Sequence, residues 1–329
     1  TLVLALFPSC APFQPPPTPT PAPPQPTVIR FWDFQQALRD VRRAHEQALQ
    51  RFRLLHPDID VRVEVFPYVE YRDRLETALR EGNPPDVAAL DQIWMAEFAA
   101  AGHLEPLDAY LAGEAQPGLF FSNAWESVVY RGRVWGIPLS YDVWFQLYYR
   151  PDLFRQAGLD PNRPPTTWEE LYEYGQRLTR PSDQYGIGLL GGRGEDTVVS
   201  VNAFIFSNGG QVVDLQQRRA TINQPAAVEA IEFYRRLAEI APPGTATRRE
   251  LDAARLFVEG RVAMVLLGSW QQDTFRALSP VSEMAPIATP TPVAPGRNQT
   301  PRRDFTWAVA LPPAPAGKTF HGTLGGWNG

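Results

Sequence analysis

The chain has 329 residues and a formal net charge of −5; 44% of it is hydrophobic and 12% aromatic. That apolar content excludes wholesale disorder, the length is about two domains' worth, and the acidic balance argues against a nucleic-acid partner. With one cysteine, Cys10, no internal disulfide framework is possible, and the four scattered histidines offer no metal-ligand spacing, so no metal and no cofactor are expected.

The chain opens on an apolar run, residues 1–7, too short to span a bilayer. It reads as the end of a secretory signal peptide. The run stops at Pro8-Ser9-Cys10, where a small residue before a lone Cys resembles a bacterial lipobox, in which the Cys is lipidated and becomes the mature N-terminus. Phe7 stands where Leu is usual and Pro8 is unusual; the alternative is an ordinary signal peptide with an incidental Cys. Residues 11–27 contain nine Pro. Proline lacks the N–H and fixes φ, so this stretch is an extended spacer of roughly 50 Å that would hold a folded domain clear of a membrane.

From residue 28 strands and helices alternate. Val28–Trp32 is a short strand, 36–56 a helix ending before Pro57, and Ile59–Val65 alternates as a half-buried strand. A helix over 69–81 stops at Gly82, 86–90 is a buried strand and 93–101 a short helix. Strands follow at 134–138 and 144–149. Thr167 and Glu170 have capping-box spacing and open a helix to about residue 179. Helices from Pro225 and over 251–259, a buried strand at 261–267 and a strand at 305–311 complete the pattern. Such alternation predicts an α/β sheet with helices on both faces.

Phosphate-loop, nucleophile-elbow and zincin motifs are absent, and Gly191-Gly-Arg-Gly194 reads as a surface turn. What stands out is aromatic and acidic residues at strand ends: Trp32 and Phe34, Asp91 and Trp94, Tyr141 and Asp142, Gly268-Ser269-Trp270, and Gly325-Gly326-Trp327. Ligands of open α/β sheets bind outside the carboxyl ends of strands. Aromatic faces beside carboxylates suit sugars, which present apolar C–H faces and hydroxyls. Trp125, Trp135, Trp144 and Trp168 read as core; the strand-end Trp residues stay open between core and cleft.

The block Tyr130-Arg-Gly-Arg-Val-Trp-Gly-Ile-Pro-Leu139 with Asp142, then Leu147-Tyr-Tyr-Arg-Pro-Asp-Leu-Phe154, Ala157-Gly-Leu159 and Pro165-Thr-Thr-Trp-Glu-Glu-Leu171, resembles the bacterial extracellular solute-binding proteins of family 1, the sugar-binding components of ABC importers. Pro85-Asp-Val87 with Asp91 and Trp94, Phe206-Ser-Asn-Gly-Gly210, Gly260-Arg-Val-Ala-Met264, Gly268-Ser-Trp270 and Leu324-Gly-Gly-Trp327 follow in family order. The resemblance implies a two-lobed, class II periplasmic-binding-protein-like α/β fold with a hinge. It places 28–140 with 268–322 in the N-terminal lobe and 141–267 with 323–329 in the second. Family members continue past the Gly-Gly-Trp segment, so the chain is expected to be a fragment truncated at both ends, its second lobe incomplete.

The resemblance further implies a sugar or oligosaccharide ligand in the interlobe cleft. Trp32 and Phe34 would lie at the first strand's end, with Trp94 and Gly326 also at the site. Asp91 and Asp142 would accept hydroxyl hydrogen bonds from opposite sides; Tyr141, Trp270 and Trp327 would wall the cleft, and Asn328 stands where Gly is commoner. The partners implied are the permease subunits of an ABC transporter. The protein would be a monomer at the extracellular face of the membrane, lipid-anchored through Cys10, or periplasmic. No catalysis is expected. The alternatives are a secreted glycoside hydrolase, needing two carboxyl groups roughly 5–10 Å apart, and the same fold binding a polyamine, iron or phosphate.

Overall fold

The computed structural model describes residues 26–34, 39–111, 115–278 and 305–328, without the side chains of 39, 40, 142, 143 and 323–327. Cys10 and the proposed leader and spacer up to residue 25 lie outside the described residues.

The first lobe begins with β1 (Thr27–Asp33), α1 (Arg39–Leu55), β2 (Ile59–Val65), α2 (Tyr68–Arg80) and β3 (Val87–Ala88). The strands form a parallel sheet in the order β2-β1-β3, with the helices as crossovers. Pro67 precedes α2, and Gly82 follows it at φ 70°, a conformation that glycine adopts without steric cost. Tyr71, Leu75 and Ala78 turn the apolar face of α2 onto Trp32, Phe34, Leu90, Trp94 and Phe98. The chain continues through β4 (Leu90–Asp91), α3 (Gln92–Ala100), α4 (Ser122–Glu126) and the hairpin of β5 (Val129–Tyr130) and β6 (Arg133–Val134).

Next come β7 (Pro138–Trp144), β8 (Gln146–Tyr149), α5 (Pro151–Gln156), α6 (Trp168–Leu178), β9 (Tyr185–Gly188) and α7 (Glu195–Ser207). The hairpin of β10 (Val213–Asp214) and β11 (Arg219–Ala220) leads to α8 (Pro225–Arg236), α9 (Glu250–Val258), β12 (Val262–Leu267), α10 (Gln271–Leu278), β13 (Ala308–Ala310) and β14 (Thr323–Asn328). The second lobe is built on a sheet ordered β13-β8-β12-β9, with β8 antiparallel to both neighbours and β9 parallel to β12. All six residues of β12 are buried, because helices cover both faces. Thr167 caps α6 by accepting from the Glu170 amide at 3.1 Å, while the Glu170 carboxylate accepts from the Thr166 amide at 2.8 Å.

A third sheet, β4-β14-β7, links the lobes. β14 lies antiparallel between β4, which anchors in the first core through Leu90, and β7, which runs on into β8. Two expected strands are therefore split. Residues 86–90 leave the first sheet after Ala88 and reach the linking sheet at Leu90, and 144–149 belong to two sheets on either side of Phe145. The expected strand at 134–138 is only the end of a hairpin, with Pro138 starting β7.

The lobe boundaries also differ from expectation. Residues 268–322 were grouped with the N-terminal lobe. In the structure Phe275 and Leu278 of α10, with Phe305 and Trp307, pack on Tyr148, Phe257 and Val265, and β13 pairs with β8. The open edge of β8 and the apolar face over β12 draw this segment into the second lobe. Residues 323–328 were grouped with the second lobe but pair with β4 and β7 in the linking sheet.

Candidate functional site

The carboxyl ends of the first-lobe strands carry an aromatic stack. Phe34 lies 5.3 Å from Tyr68, 4.8 Å from Tyr71 and 6.2 Å from Trp94, and Tyr68 stacks on Trp94 at 5.8 Å and 13°. Trp32 packs 4.7 Å from Phe66 under the Arg30 guanidinium. Trp32, Phe34 and Trp94 are only 7%, 5% and 6% exposed, so they back the site from within the core and offer a ligand little surface. The stack presents the Tyr68 hydroxyl, which donates to Asp91 Oδ2 at 2.9 Å. Asp91 also caps α3, accepting from the Ile93 amide at 3.3 Å. Burial holds its carboxyl above the usual range, against these donors.

The linking sheet contributes a second group. Tyr141 donates to Asn328 Oδ1 at 3.0 Å and meets the Ser127 hydroxyl, and buried Asn328 donates to Ser127 at 3.3 Å. The register sets the backbone of Trp327 beside Asp91 and Ser140, of Gly326 opposite Tyr141, and of Gly325 opposite Asp142. The side chains of Asp142 and Trp327 lie outside the described residues.

The second lobe brings the starts of α7 and α9 and the end of β12. Gly191, Gly192 and Gly194 are not a free surface turn. A Cβ at Gly191 would lie 2.6 Å from the Thr245 carbonyl oxygen, and one at Gly192 would lie 2.9 Å from that of Arg248. This close approach fixes where α7 begins, with Glu195 in its first turn. Asp196 accepts from Arg249 at 2.9 Å on both oxygens and from the Glu250 amide at 2.9 Å. Half-buried Glu250 accepts from Trp270 Nε1 at 2.6 Å and from Gln271 at 2.9 Å, yet desolvation holds its carboxyl high. The half-buried Trp270 stands edge-on to Trp144 at 4.4 Å. Its ring lies over Gly268, where a Cβ would come within 2.0 Å. Glycine serves here because the ring occupies that space.

Tyr68 and Asp91 of the first lobe come near enough to Glu195 of the second to influence its protonation. Burial, then the charges of Asp91 and Asp196, push the Glu195 carboxyl up to about 7, against the Tyr68 hydroxyl and Arg249. Asp91, Tyr141, Asn328 and Trp270, which sequence reasoning singled out, thus stand beside Tyr68, Ser127, Glu195, Arg249 and Glu250, which it did not. Tyr68 follows Pro67 at the carboxyl end of β2 and Glu195 follows the glycine run after β9, positions where ligands of α/β sheets bind. Trp144, read as core, is only partly buried and forms a wall with Trp270. Among the described residues no group of three or more His, Cys, Asp or Glu side chains is placed to hold a metal ion.

A family model described as bacterial extracellular solute-binding protein matches residues 40–317. A binding protein of Brucella abortus is 26% identical over 248 residues, covering 74% of this chain and 59% of its own length. A mannitol-binding protein of Pseudomonas aeruginosa is 29% identical over 284 residues, covering 83% of this chain and 62% of its own. The chain therefore spans about three-fifths of these relatives. Among solved structures, an ABC transporter solute-binding protein of Thermotoga lettingae bound with alpha-D-tagatose superposes with a TM-score of 0.72 at 27% identity, covering 92% of this chain and 71% of that one.

Proposed function

We propose, because the chain belongs to the bacterial extracellular solute-binding protein family, that it captures a neutral sugar or polyol between its lobes and delivers it to the permease of an ABC transporter. The observation that carries this reading is the convergence of hydroxyls, carboxylates and indoles from both lobes beside the linking sheet. Carboxylates and tyrosine hydroxyls accept and donate to ligand hydroxyls, while Trp270 and Trp144 face the apolar side of a sugar ring. The linking sheet, with the backbone of Gly326 opposite Tyr141, borders the site, and Trp32, Phe34 and Trp94 lie behind.

Ligand contacts made by both lobes favour the closed form, since only a closed cleft lets one ligand reach groups of both lobes at once. The acidic and aromatic character of these groups suits hydroxyl donors better than an anion such as phosphate, which calls for arginine or helix N-termini aimed at it. No covalent chemistry is assigned to the carboxylates. The closed protein would then dock on the permease, as a monomer tethered outside the cell through lipid on Cys10.

Isothermal titration with D-mannitol, alpha-D-tagatose and maltose tests the reading. Saturable binding of at least one, with no breakdown of the ligand, is expected. Binding of a polyamine or phosphate but of none of the three refutes it.

A further inference from the structure

The second-lobe sheet ends at the carboxyl end of β12, where ligands of α/β sheets bind. There Gln146, the first residue of β8, pairs with Leu267, the last of β12. Gly268 and the wall of Trp270 and Trp144 adjoin this pair. The Gln146 side chain is half-buried, and both of its contacts are to its oxygen. Gln272 Nε2 donates to Oε1 at 2.6 Å, and the Tyr148 hydroxyl approaches the same oxygen at 3.0 Å.

The direction of this amide is set from α10. A carboxamide has an accepting and a donating end, and its partners decide which end lies where. A guanidinium can only donate, and Arg276 Nη2 lies 3.0 Å from Gln272 Oε1. Gln272 must therefore turn its nitrogen to Gln146, and Gln146 must receive it with oxygen; the reverse would set two N–H groups against each other. The Tyr148 proton can go to Gln146 or to the Gly268 carbonyl oxygen, 2.9 Å away, without altering this order. The Gln146 nitrogen is left with no hydrogen-bond partner among the described residues, and it is not a buried atom.

The tyrosine and indole donors of the site are already spent. Tyr68 gives its proton to Asp91, Tyr141 to Asn328 and Trp270 to Glu250. The carboxylates suit ligand hydroxyls, which can donate. The ring oxygen of a cyclic sugar, like the oxygen between two sugar units, carries no proton and can only accept. Resting on the capture reading above, we propose that Gln146 is a specificity-determining residue of the cleft. Its amide, aimed by Arg276 and Gln272, donates to such an oxygen and so selects cyclic sugars over open-chain polyols.

Two conservative variants test this. Gln146→Glu keeps the shape and the oxygen that meets Gln272 but turns the donor into an acceptor. Gln272→Glu gives both Arg276 and Gln146 a carboxylate to donate to, so the Gln146 amide reverses and shows its oxygen to the cleft. Isothermal titration with alpha-D-tagatose, maltose and D-mannitol is expected to show binding of at least one cyclic sugar by the wild type, and a loss of about ten-fold or more in both variants. Mannitol, whose hydroxyls can turn to donate, should lose less wherever it binds. Unaltered affinity for the cyclic sugar in either variant overturns the proposal, as does an equal loss for mannitol or a wild type that takes mannitol alone. Heteronuclear NMR of the ligand-free protein reads the aim of the amide by itself. The Gln146 side-chain amide protons should exchange freely with water in the wild type and slow down in Gln272→Glu; protected Gln146 amide protons in the wild type overturn the proposal whether or not a sugar binds. If the wild type binds none of the three compounds, sugar capture falls and this selection with it; if it binds and the variants bind equally well, this proposal falls alone.

Discussion

Trp270→Ala should weaken both the second lobe and ligand capture. The indole supplies a 2.6 Å hydrogen bond to the Glu250 carboxylate and an edge-on contact to Trp144 at 4.4 Å. A hydrogen bond to a charged group is worth about 1.5–3 kcal/mol and an aromatic pair about 0.5–1.5 kcal/mol. The ligand-free protein should therefore lose roughly 2–4 kcal/mol in urea unfolding, more than a half-exposed side chain suggests by area alone. Trp270→Phe keeps a ring and loses only the N–H, so it should cost about 1.5–3 kcal/mol. Glu250 is then left with Gln271 as a side-chain donor, and its carboxyl, already raised by burial, rises further. A carboxyl whose folded-state pKa is raised weakens the fold as pH climbs through that value, so the loss should be larger at pH 8 than at pH 5. Affinity for a sugar or polyol should fall by about 1–3 kcal/mol in the alanine variant. A large loss of stability with unaltered affinity would refute a cleft role for Trp270. A Trp270→Phe variant as stable as the wild type at every pH would refute the role given to its N–H.

Gly268→Ala forces the Trp270 ring off its seat, and a loss of about 1–3 kcal/mol with a red shift of tryptophan emission should report it. Thr167→Ala removes the acceptor that caps α6, so denaturant unfolding should show a loss of about 1 kcal/mol with no change in ligand affinity. Cys10→Ser in a secreted precursor should release the protein from cell membranes without altering sugar affinity; unchanged retention in a fractionation assay would refute lipidation there.

Helices were legible where their ends carry chemistry: Pro57 after α1, Gly82 after α2, Thr167 before α6, Pro225 at the first position of α8. Helix α7 was not, because Ser200, Ala203, Phe204, Ile205 and Ser207 are all buried and no polar face gives the 3.6-residue period. Strands were legible as apolar runs, but a run does not say which sheet receives it, so the divisions at Ala89 and Phe145 were hidden. The same limit applies to the site. Asp91, Tyr141 and Trp270 stand beside strand ends that can be read locally. Glu195 owes its raised carboxyl to burial and then to Asp91, which lies more than a hundred residues away in sequence and in the other lobe. No local pattern encodes such a meeting.

The placement of β14 has a consequence for how the molecule is made. Pairing Asp91 with Trp327 closes a loop of well over two hundred residues, and contacts so distant in sequence carry the largest closure entropy. A chain leaving the ribosome can fold the sheet of β1, β2 and β3 early, since its helical crossovers are local. β4 and β7 must wait, their edges unpaired and open to wrong partners, until β14 arrives between them. The joint that unites the lobes thus cannot assemble before β14 is made, and a growing chain has no complete cleft to offer a solute until then.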